Sequence, residues 1–232
     1  MKGCKPVSMP TLFKSLVGSL RYLTFTCPDI MYAVGLVSWY MEKPKQDHFI
    51  AAKIILRYIK GTQNHGLFYT HTQDSKLVGY SDSDYGGDLD HGKSTSGYAF
   101  HIGSAVVSWS SKKQQIVALS TCEAEYIAVA ACTCQAMWLK YILSELYLAQ
   151  EGPITIYVDN KSTISLAKNL VSHCRSKHIN IKYHFIREQV KNKIIELVHC
   201  RTEEQLADIF TKPLKTNTFQ KFIEKLGMRT RV

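Results

Sequence analysis

The sequence predicts an α/β fold, a five-stranded mixed sheet with helices on both faces, preceded by a small all-helical segment. Apolar residues recur at helical spacing up to about residue 70, and strand-like alternation begins after about residue 72. Hydrophobic residues make up 45% of the 232-residue chain, which is enough to build a packed core. We therefore expect a helical part over residues 1–72 and an α/β domain over residues 73–232.

The helical part is predicted from the spacing of its apolar residues. Leu16, Leu20 and Leu23 fall on one helical face. Ile50, Ile54 and Tyr58 mark the apolar face of a later helix. We find no acid–base pair and no nucleophile in this part, so we expect it to be a packed helical unit.

The α/β part is predicted strand by strand. Val78, Tyr80 and Asp82 lie on one side of an alternating stretch, and Gly103-Ser104 has the composition of a hairpin turn. Strands are expected at residues 77–82, 97–102, 105–110, 154–159 and 194–199. Helices are expected at residues 121–148, 160–168 and 177–191, followed by two short helices. This order of elements favours a mixed sheet with helices packed on its faces.

The composition indicates the kind of partner and compartment. A net charge of +10, from 29 Lys and Arg against 19 Asp and Glu, favours a polyanionic partner. The seven cysteines show no disulfide framework, which favours a reducing intracellular compartment, cytoplasmic or nuclear. We find no signal peptide and no apolar run near the ~18 residues of a membrane span, so no membrane partner is expected.

Four carboxylates are placed where secondary-structure elements begin or end. Asp82 ends the first predicted strand, Glu125 lies near the start of the long helix, Asp159 ends the fourth strand and Asp208 follows the fifth. Strand ends and helix starts converge at one edge of such a sheet, so we expect the four side chains to meet. Clustered carboxylates repel one another unless a cation neutralises them, and ligands that are all oxygen suit Mg²⁺ or Mn²⁺. Two such ions ~3.5–4 Å apart would support phosphodiester hydrolysis.

Two of these assignments have competitors in the sequence. Ser120 and Glu123 form a capping box at the start of the long helix, so Glu123 is expected to be structural and Glu125 to be free for the site. Asp84 competes with Asp82, because a strand residue two positions further on faces the same way. Thr202-x-x-Gln205 has the spacing of a cap for the helix that carries Asp208.

Seven ordered motifs resemble the ribonuclease H domain of copia-type LTR retrotransposons. They are YSDSD at 80–84, KSTSGY at 93–98, SWSSKKQ at 108–114, EAEYIA at 123–128, YVDN at 157–160, KHI with YHFIR between 177 and 187, and ADIFTKPL at 207–214. The resemblance covers essentially the whole chain. It implies a ribonuclease H-like fold and an endonuclease that cuts the RNA strand of RNA–DNA hybrids with two Mg²⁺ ions, for which Mn²⁺ can substitute.

The resemblance also assigns roles along the chain. Asp82, Glu125, Asp159 and Asp208 would be the catalytic metal ligands of the family. The upstream residues, LVGSL at 16–20 through RYIKGT at 57–62, look like the end of a reverse transcriptase, its thumb and connection region. No Tyr-x-Asp-Asp polymerase motif is present, so polymerase activity is not expected, and a polymerase domain would be a partner supplied elsewhere. No small-molecule cofactor is implied.

A basic segment over residues 161–201 is the predicted nucleic-acid interface. It holds nine Lys and Arg against two Glu, together with four His. Lys and Arg contacts to phosphates supply most non-specific affinity for nucleic acid, while hybrid recognition would depend on backbone shape and 2′-OH contacts. The side chains expected to line this face are Arg175, Lys177, His178, Lys182, His184, Arg187 and Lys191. A solvated basic face is the alternative.

Two other functions remain open from the sequence. The chain could be a catalytically idle or domesticated retrotransposon fragment that only binds nucleic acid. It could also be a DNA transposase or integrase, whose catalytic domain has a similar sheet. Those sites place their glutamate last, on a late helix, whereas Glu125 comes second here.

Overall fold

The computed structural model describes residues 9–71, 76–168 and 177–230, the side chains of residues 177–180 excepted. The chain divides into two compact units, Met1–Phe68 with Met228–Val232, and Tyr69–Gly227. The division expected from the sequence lay at residue 72. The reading of the first unit as the end of a reverse transcriptase stays a prediction.

The first unit contains three helices and a two-stranded sheet. The helices are α1 (Pro10–Leu23), α2 (Met31–Ser38) and α3 (Gln46–Gly61), with a 3₁₀ turn at Pro28–Ile30. β1 (His65–Leu67) pairs antiparallel with β7 (Met228–Thr230). The core is formed by Phe13, Val17 and Leu20 of α1 packed against residues of α2 and α3. The sequence did not reveal these two strands, because three residues are too few to show an alternating pattern.

The apolar face predicted on α3 is only partly correct, because Tyr58 packs against the core of this unit but the two isoleucines do not. Ile50 and Ile54 are 48% and 55% exposed, and the buried residues of this helix are Ala52 and Ile55. Ala52 lies two residues from Ile50, roughly 200° further around the helix. The helix therefore packs through Ala52 and Ile55, neither of which the predicted face included.

The second unit is built on a five-stranded mixed sheet. Its strands are β2 (Leu77–Ser83), β3 (Thr95–Ile102), β4 (Ala105–Lys113), β5 (Ile154–Val158) and β6 (Ile195–His199). They lie side by side in the order β4-β3-β2-β5-β6. The β2–β3 and β3–β4 pairs are antiparallel, whereas β2–β5 and β5–β6 are parallel. The predicted five-stranded mixed sheet is confirmed.

Helices cover both faces of this sheet. The helices are α4 (Thr121–Glu145), α5 (Lys161–Lys168), α6 (Lys177–Lys191) and α7 (Thr216–Lys225), with 3₁₀ helices at Thr202–Glu204 and Leu206–Phe210. Phe100, Ile156 and Tyr126 belong to the main core between the sheet and α4. On the opposite face, Gly97 of β3 lies against Phe210 and Thr211. The predicted fold class is therefore confirmed.

The helix α4 is long and apolar enough to cross a membrane by length and composition alone. The sequence reading, which found no such run, was wrong on this point. Half of the most apolar window of α4 is buried inside the protein. The central helix of a packed core meets the same criterion, and Tyr126 and Val129 of α4 are fully buried in that core.

The outward side of α4 carries the large aromatic residues Trp138 and Tyr141. These two side chains are 54% and 63% exposed. The buried side carries many small residues, among them Ala124, Ala128 and Ala136. Small side chains let the helix approach the sheet closely.

Candidate active site

The strand order of the second unit brings two of the predicted acids to one edge of the sheet. β2 and β5 are parallel neighbours, and Asp82 lies near the end of β2 while Asp159 directly follows β5. The carboxyl ends of parallel strands open at the same edge of a sheet. Glu125, in the second turn of α4, reaches the same place, where its Oε1 accepts a hydrogen bond of 3.3 Å from the backbone N–H of Ser83.

Asp82, Glu125 and Asp159 form one cluster. One carboxylate oxygen from each lies within 4.8 Å of the others. Asp82 and Glu125 are only 1% and 6% exposed, and Asp159 is partly buried. The sequence-based expectation that these three meet agrees with this geometry.

The electrostatics of the cluster fit a divalent cation. Burial, followed by the negative charges of Asp82 and Asp159, raises the pKa of Glu125 well above its usual value. Burial and the charge of Asp82 likewise raise the pKa of Asp159. Within the described residues, the buried Oε2 atom of Glu125 has no hydrogen-bond partner. A carboxylate oxygen left in this way, among ligands that are all oxygen, suits Mg²⁺ or Mn²⁺.

Asp208 stands beside this cluster but is not a member of the three-residue group. It lies in the 3₁₀ helix Leu206–Phe210 and is 4% exposed. Burial raises its pKa to about 7, with a further contribution from the charge of Asp82. The negative charge of Asp82 therefore acts on Asp208. The side chain of Asp208, however, pairs with a residue outside the three-residue cluster.

The partner of Asp208 is Lys212, four residues further along the chain. The Nζ atom of Lys212 lies 2.9 Å from Oδ1 of Asp208 and 3.9 Å from Oδ2 of Asp82. Burial lowers the pKa of Lys212, but the charge of Asp82 and the ion pair with Asp208 outweigh that effect and raise it. The sequence reading placed Lys212 in a motif without giving it a role. Its spacing from Asp208 was the available signal.

Asp84, the competitor of Asp82, is held in a different way. Its Oδ1 accepts a hydrogen bond from the backbone N–H of Thr95. Its carboxylate also fills the space where Gly87 lacks a side chain. Burial raises the pKa of Asp84 to about 6. Asp84 lines the cleft but does not belong to the three-residue cluster, so the geometry supports Asp82 as the ligand.

The cluster opens into a cleft with a volume of about 660 Å³. Besides the acids, its lining includes Tyr85, Asn160, Lys161, His199 and Lys212. In the sequence, His199 was counted only among the four histidines of the basic segment and was not placed at the site. It is in fact the last residue of β6, which runs parallel to β5, so it reaches the same edge as Asp159. Its place at a strand end could have identified it.

Two buried glutamines brace the site, and the sequence reading assigned neither to it. The side-chain N–H of Gln114 donates to the hydroxyls of Ser83 and Ser96 and to the backbone oxygen of Ala124. It thereby ties the end of β2 to the start of α4. Gln205 donates to the backbone oxygen of Ser81 and is fully buried. A glutamine gives no sequence signal for such a role unless the fold is known.

Asp82 has a further buried partner. The hydroxyl of Thr211 donates to Oδ2 of Asp82, and Thr211 is fully buried. Gly97 pairs with Asp82 across β2 and β3. A Cβ atom on Gly97 would lie 2.7 Å from Cγ2 of Thr211, so only glycine allows this close approach. The position of Asp82 thus depends on the segment that carries Asp208.

The predicted helix caps are partly corrected. The Ser120 hydroxyl accepts from the N–H of Glu123, as expected, but the Glu123 carboxylate accepts from the N–H of Leu119 instead of Ser120. Thr202 does not cap the helix of Asp208, because its hydroxyl donates to Asp159 at 3.2 Å. Gln205 caps that helix by accepting from the N–H of Ala207.

The structure describes only some of the side chains that were predicted to form the basic interface. Arg175 lies outside the described residues, as do the side chains of Lys177 and His178. His184 and Lys191 are exposed on α6, whereas Lys182 and Arg187 are partly buried.

The basic residues of α6 do not share one face, contrary to the spacing argument. Lys182 and Lys191 are nine residues apart, roughly half a turn around the helix. Tyr183 and Ile186 take up the buried side of α6. A role in nucleic-acid binding stays a prediction for this set.

The chain is similar to much longer curated proteins. It is 47% identical, over 96% of its length, to the retrovirus-related Pol polyprotein from transposon RE1 of Arabidopsis thaliana, of which it covers 15%. It is 43% identical, over 94% of its length, to the Pol polyprotein from transposon TNT 1-94 of Nicotiana tabacum, of which it covers 16%. The chain therefore spans about 15% of the length of these relatives.

A comparison with solved structures finds a protein of similar fold. The foamy viral protease-reverse transcriptase dRH in complex with ds DNA matches 87% of this chain and 33% of its own, with a TM-score of 0.54 and 11% identity. A likeness at that identity concerns the fold alone. No protein-family model matches the chain. With relatives 43–47% identical over at least 94% of its length, the chain corresponds to a segment of the retrovirus-related Pol polyproteins.

Proposed function

We propose that the chain is a metal-dependent endonuclease that hydrolyses the RNA strand of RNA–DNA hybrids, as the ribonuclease H part of a retrotransposon polyprotein. One observation carries this proposal: Asp82, Glu125 and Asp159 meet within 4.8 Å at the carboxyl edge of the sheet. A ribonuclease H-like fold and the Pol family support the same function.

The three clustered carboxylates would hold two Mg²⁺ ions, with Asp208 completing the set and Mn²⁺ able to substitute. Bound there, the ions would supply activation of water and stabilisation of the leaving oxygen. The protein positions its own groups for this: Ser83 and Thr211 orient Glu125 and Asp82, and Thr202 orients Asp159. Fixed second partners of this kind hold metal ligands in place.

Nucleic acid is the proposed substrate because of charge and family. The net charge of +10 suits a phosphate backbone, and the exposed Lys191 of α6 is available for contact. The order of the acids favours this enzyme over a transposase or integrase. In those sites the glutamate comes last, on a late helix, whereas Glu125 lies on the first long helix after the hairpin.

The test is a cleavage assay on a panel of RNA–DNA hybrid, duplex DNA and duplex RNA with Mg²⁺. We expect cleavage of the RNA strand of the hybrid alone. Asp159→Asn and Glu125→Gln should each lower the rate by more than about 100-fold, because each removes a metal ligand rather than a supporting group. The matched control is Glu188→Gln, which removes a carboxylate on α6 that is exposed to solvent.

Two results would reject the proposal. No cleavage of any substrate with Mg²⁺ or Mn²⁺, together with retained binding to the hybrid, would favour an idle fragment that only binds nucleic acid. Cleavage of duplex DNA in preference to the hybrid would favour a transposase or integrase.

The first unit is proposed to correspond to the end of a reverse transcriptase, its thumb and connection region. The described residues of this unit form a helical core of their own around Phe13, Val17 and Leu20. A polymerase domain supplied elsewhere would be the natural partner, and polymerase activity is not expected of this chain. A cytoplasmic or nuclear location is proposed from the cysteines, because Cys27, Cys132, Cys134 and Cys200 form no disulfide within the part of the chain that the structure describes.

A further inference from the structure

Lys212 is a positive charge built into the acidic cluster. Its Nζ atom lies 2.9 Å from Asp208 and 3.9 Å from Asp82. Its side chain lines the cleft and is 36% exposed, so it approaches the carboxylates from the open side. Within the described residues, no other Lys or Arg forms an ion pair with Asp82, Glu125, Asp159 or Asp208.

The backbone around Lys212 is firmly placed. Thr211, its neighbour in sequence, is fully buried and donates to Asp82. The backbone N–H of Lys212 donates to the oxygen of Asp208 at 3.2 Å. The ammonium group is therefore directed at the acids by the fold, and only the flexible end of the side chain is free to move.

We propose that the Lys212 ammonium is a resident cation of the site, which holds Asp208 while no divalent ion is bound and competes with a divalent ion for the Asp208 side of the cluster. Clustered carboxylates need positive charge nearby, and Lys212 supplies it without metal. A divalent ion next to Asp208 would meet the repulsion of this ammonium until the side chain withdraws into the cleft. Lys212 is in this sense a positioning residue that sets how strongly the site takes up metal.

This proposal rests on the cluster being the metal site of the proposed nuclease, but its test needs no cleavage. The full chain is compared with Lys212→Met, which keeps the length of the side chain and removes the charge. In EDTA we expect the melting temperature of Lys212→Met to fall by about 3–6 °C, because Asp208 loses its partner. In calorimetric titration with Mn²⁺ we expect binding to become roughly tenfold tighter, because the repulsion is gone.

Two further variants make the comparison specific. Lys212→Arg keeps the charge and should retain most of the stability in EDTA. Lys225→Met, the matched control, removes an exposed charge of α7 and should leave both measurements unchanged. Should Lys212→Met not fold in EDTA, Lys212→Gln provides the same comparison with a polar end.

The outcomes separate this proposal from the proposed function. Unchanged stability in EDTA, or Mn²⁺ binding that is unchanged or weaker in Lys212→Met, would overturn the resident-cation role even if the chain cleaves hybrids. Conversely, the expected shifts in a chain that cleaves no substrate would uphold the role of Lys212 and reject the nuclease.

Discussion

Single residues in this site are governed by the repulsion between carboxyl groups held in a small volume. Asp82 and Glu125 are almost completely buried, and Asp208 lies close enough for the charge of Asp82 to act on it. Burial and like charge both favour the protonated form of an acid. The metal-free site is therefore expected to retain protons near neutral pH and to release them when a divalent ion binds.

A pH dependence of stability follows from Asp208. Its pKa is raised to about 7 in the folded chain, so the folded state binds this proton more tightly than the unfolded state does. In EDTA, stability should therefore fall as pH rises from about 4 through 7, by roughly 1–3 kcal/mol from this group. The measurement is thermal unfolding between pH 4.5 and 8, with Asp208→Asn as the variant that lacks the titration.

With metal bound, the expected pH dependence of stability has the opposite sign. At saturating Mn²⁺ the melting temperature should rise over the same pH range, because the ion binds the ionised acids. Wild-type and Asp208→Asn curves that run parallel in EDTA would show that Asp208 does not titrate in this range.

The choice between neighbouring acids shows what a sequence can and cannot decide at this scale. Asp82 and Asp84 are two residues apart, so strand alternation predicts that both side chains face the same way. Alternation alone therefore does not decide which of them is the metal ligand. The structure separates them, since the backbone of Thr95 takes the carboxylate of Asp84. Gln114 and Gln205 were missed because a buried amide is recognised by what it bridges, and that depends on the fold.

Among the elements, the contact between β3 and the 3₁₀ helix Leu206–Phe210 positions two of the acids together. Gly97 of β3 faces this segment, and a Cβ atom there would lie 2.8 Å from Cβ of Phe210 and 3.1 Å from the backbone oxygen of Ala207. No flexible side-chain end relieves the contact with Ala207. The segment would have to shift, and with it Thr211, which holds Asp82.

We therefore expect Gly97→Ala to destabilise the protein by about 1–3 kcal/mol through overpacking. It should also weaken Mn²⁺ binding, because Asp82 loses its placement. Thermal unfolding and calorimetric titration with Mn²⁺ measure the two effects. Gly18→Ala is the matched control, since a Cβ atom at Gly18 of α1 meets nothing within 4 Å. Equal stability and equal metal binding in the two variants would contradict this account.

Elements with a long periodic pattern were predicted well. Strands β2 to β6 and helix α6 fall within a few residues of their predicted positions. The segment of Asp208 was predicted as an ordinary helix, but it forms two 3₁₀ helices at Thr202–Glu204 and Leu206–Phe210. The side chain of Gln205 caps the second of them, and this local hydrogen bond leaves no trace in apolar spacing.

For the whole molecule, charge is the property that extends beyond any one element. A net charge of +10 predicts that hybrid binding weakens as salt increases. Binding can be followed by fluorescence anisotropy with a labelled hybrid in EDTA, where the proposed hydrolysis does not interfere. The quantity to compare is the slope of the logarithm of affinity against the logarithm of salt concentration.

Lys191→Ala tests whether α6 contributes to that slope. If the exposed Lys191 contacts one phosphate, the variant should reduce the magnitude of the slope by about 0.9. Lys225→Ala, which removes the same charge from α7, should leave the slope unchanged. If the slope for Lys191→Ala equals that of the unaltered chain, Lys191 of α6 does not contact a phosphate of the nucleic acid.

The sequence by itself determined the fold class, the five strands and the acids that follow them, because these depend on local periodicity and on motifs that are contiguous in the chain. Tertiary structure alone decided that Lys212 lies within 3.9 Å of Asp82, that Gly97 must lack a side chain and that Ile50 and Ile54 are exposed. The physical reason is that such contacts join residues through the packing of separate elements. Periodicity reports which side of an element is apolar, but it carries no distance to a residue elsewhere in the chain.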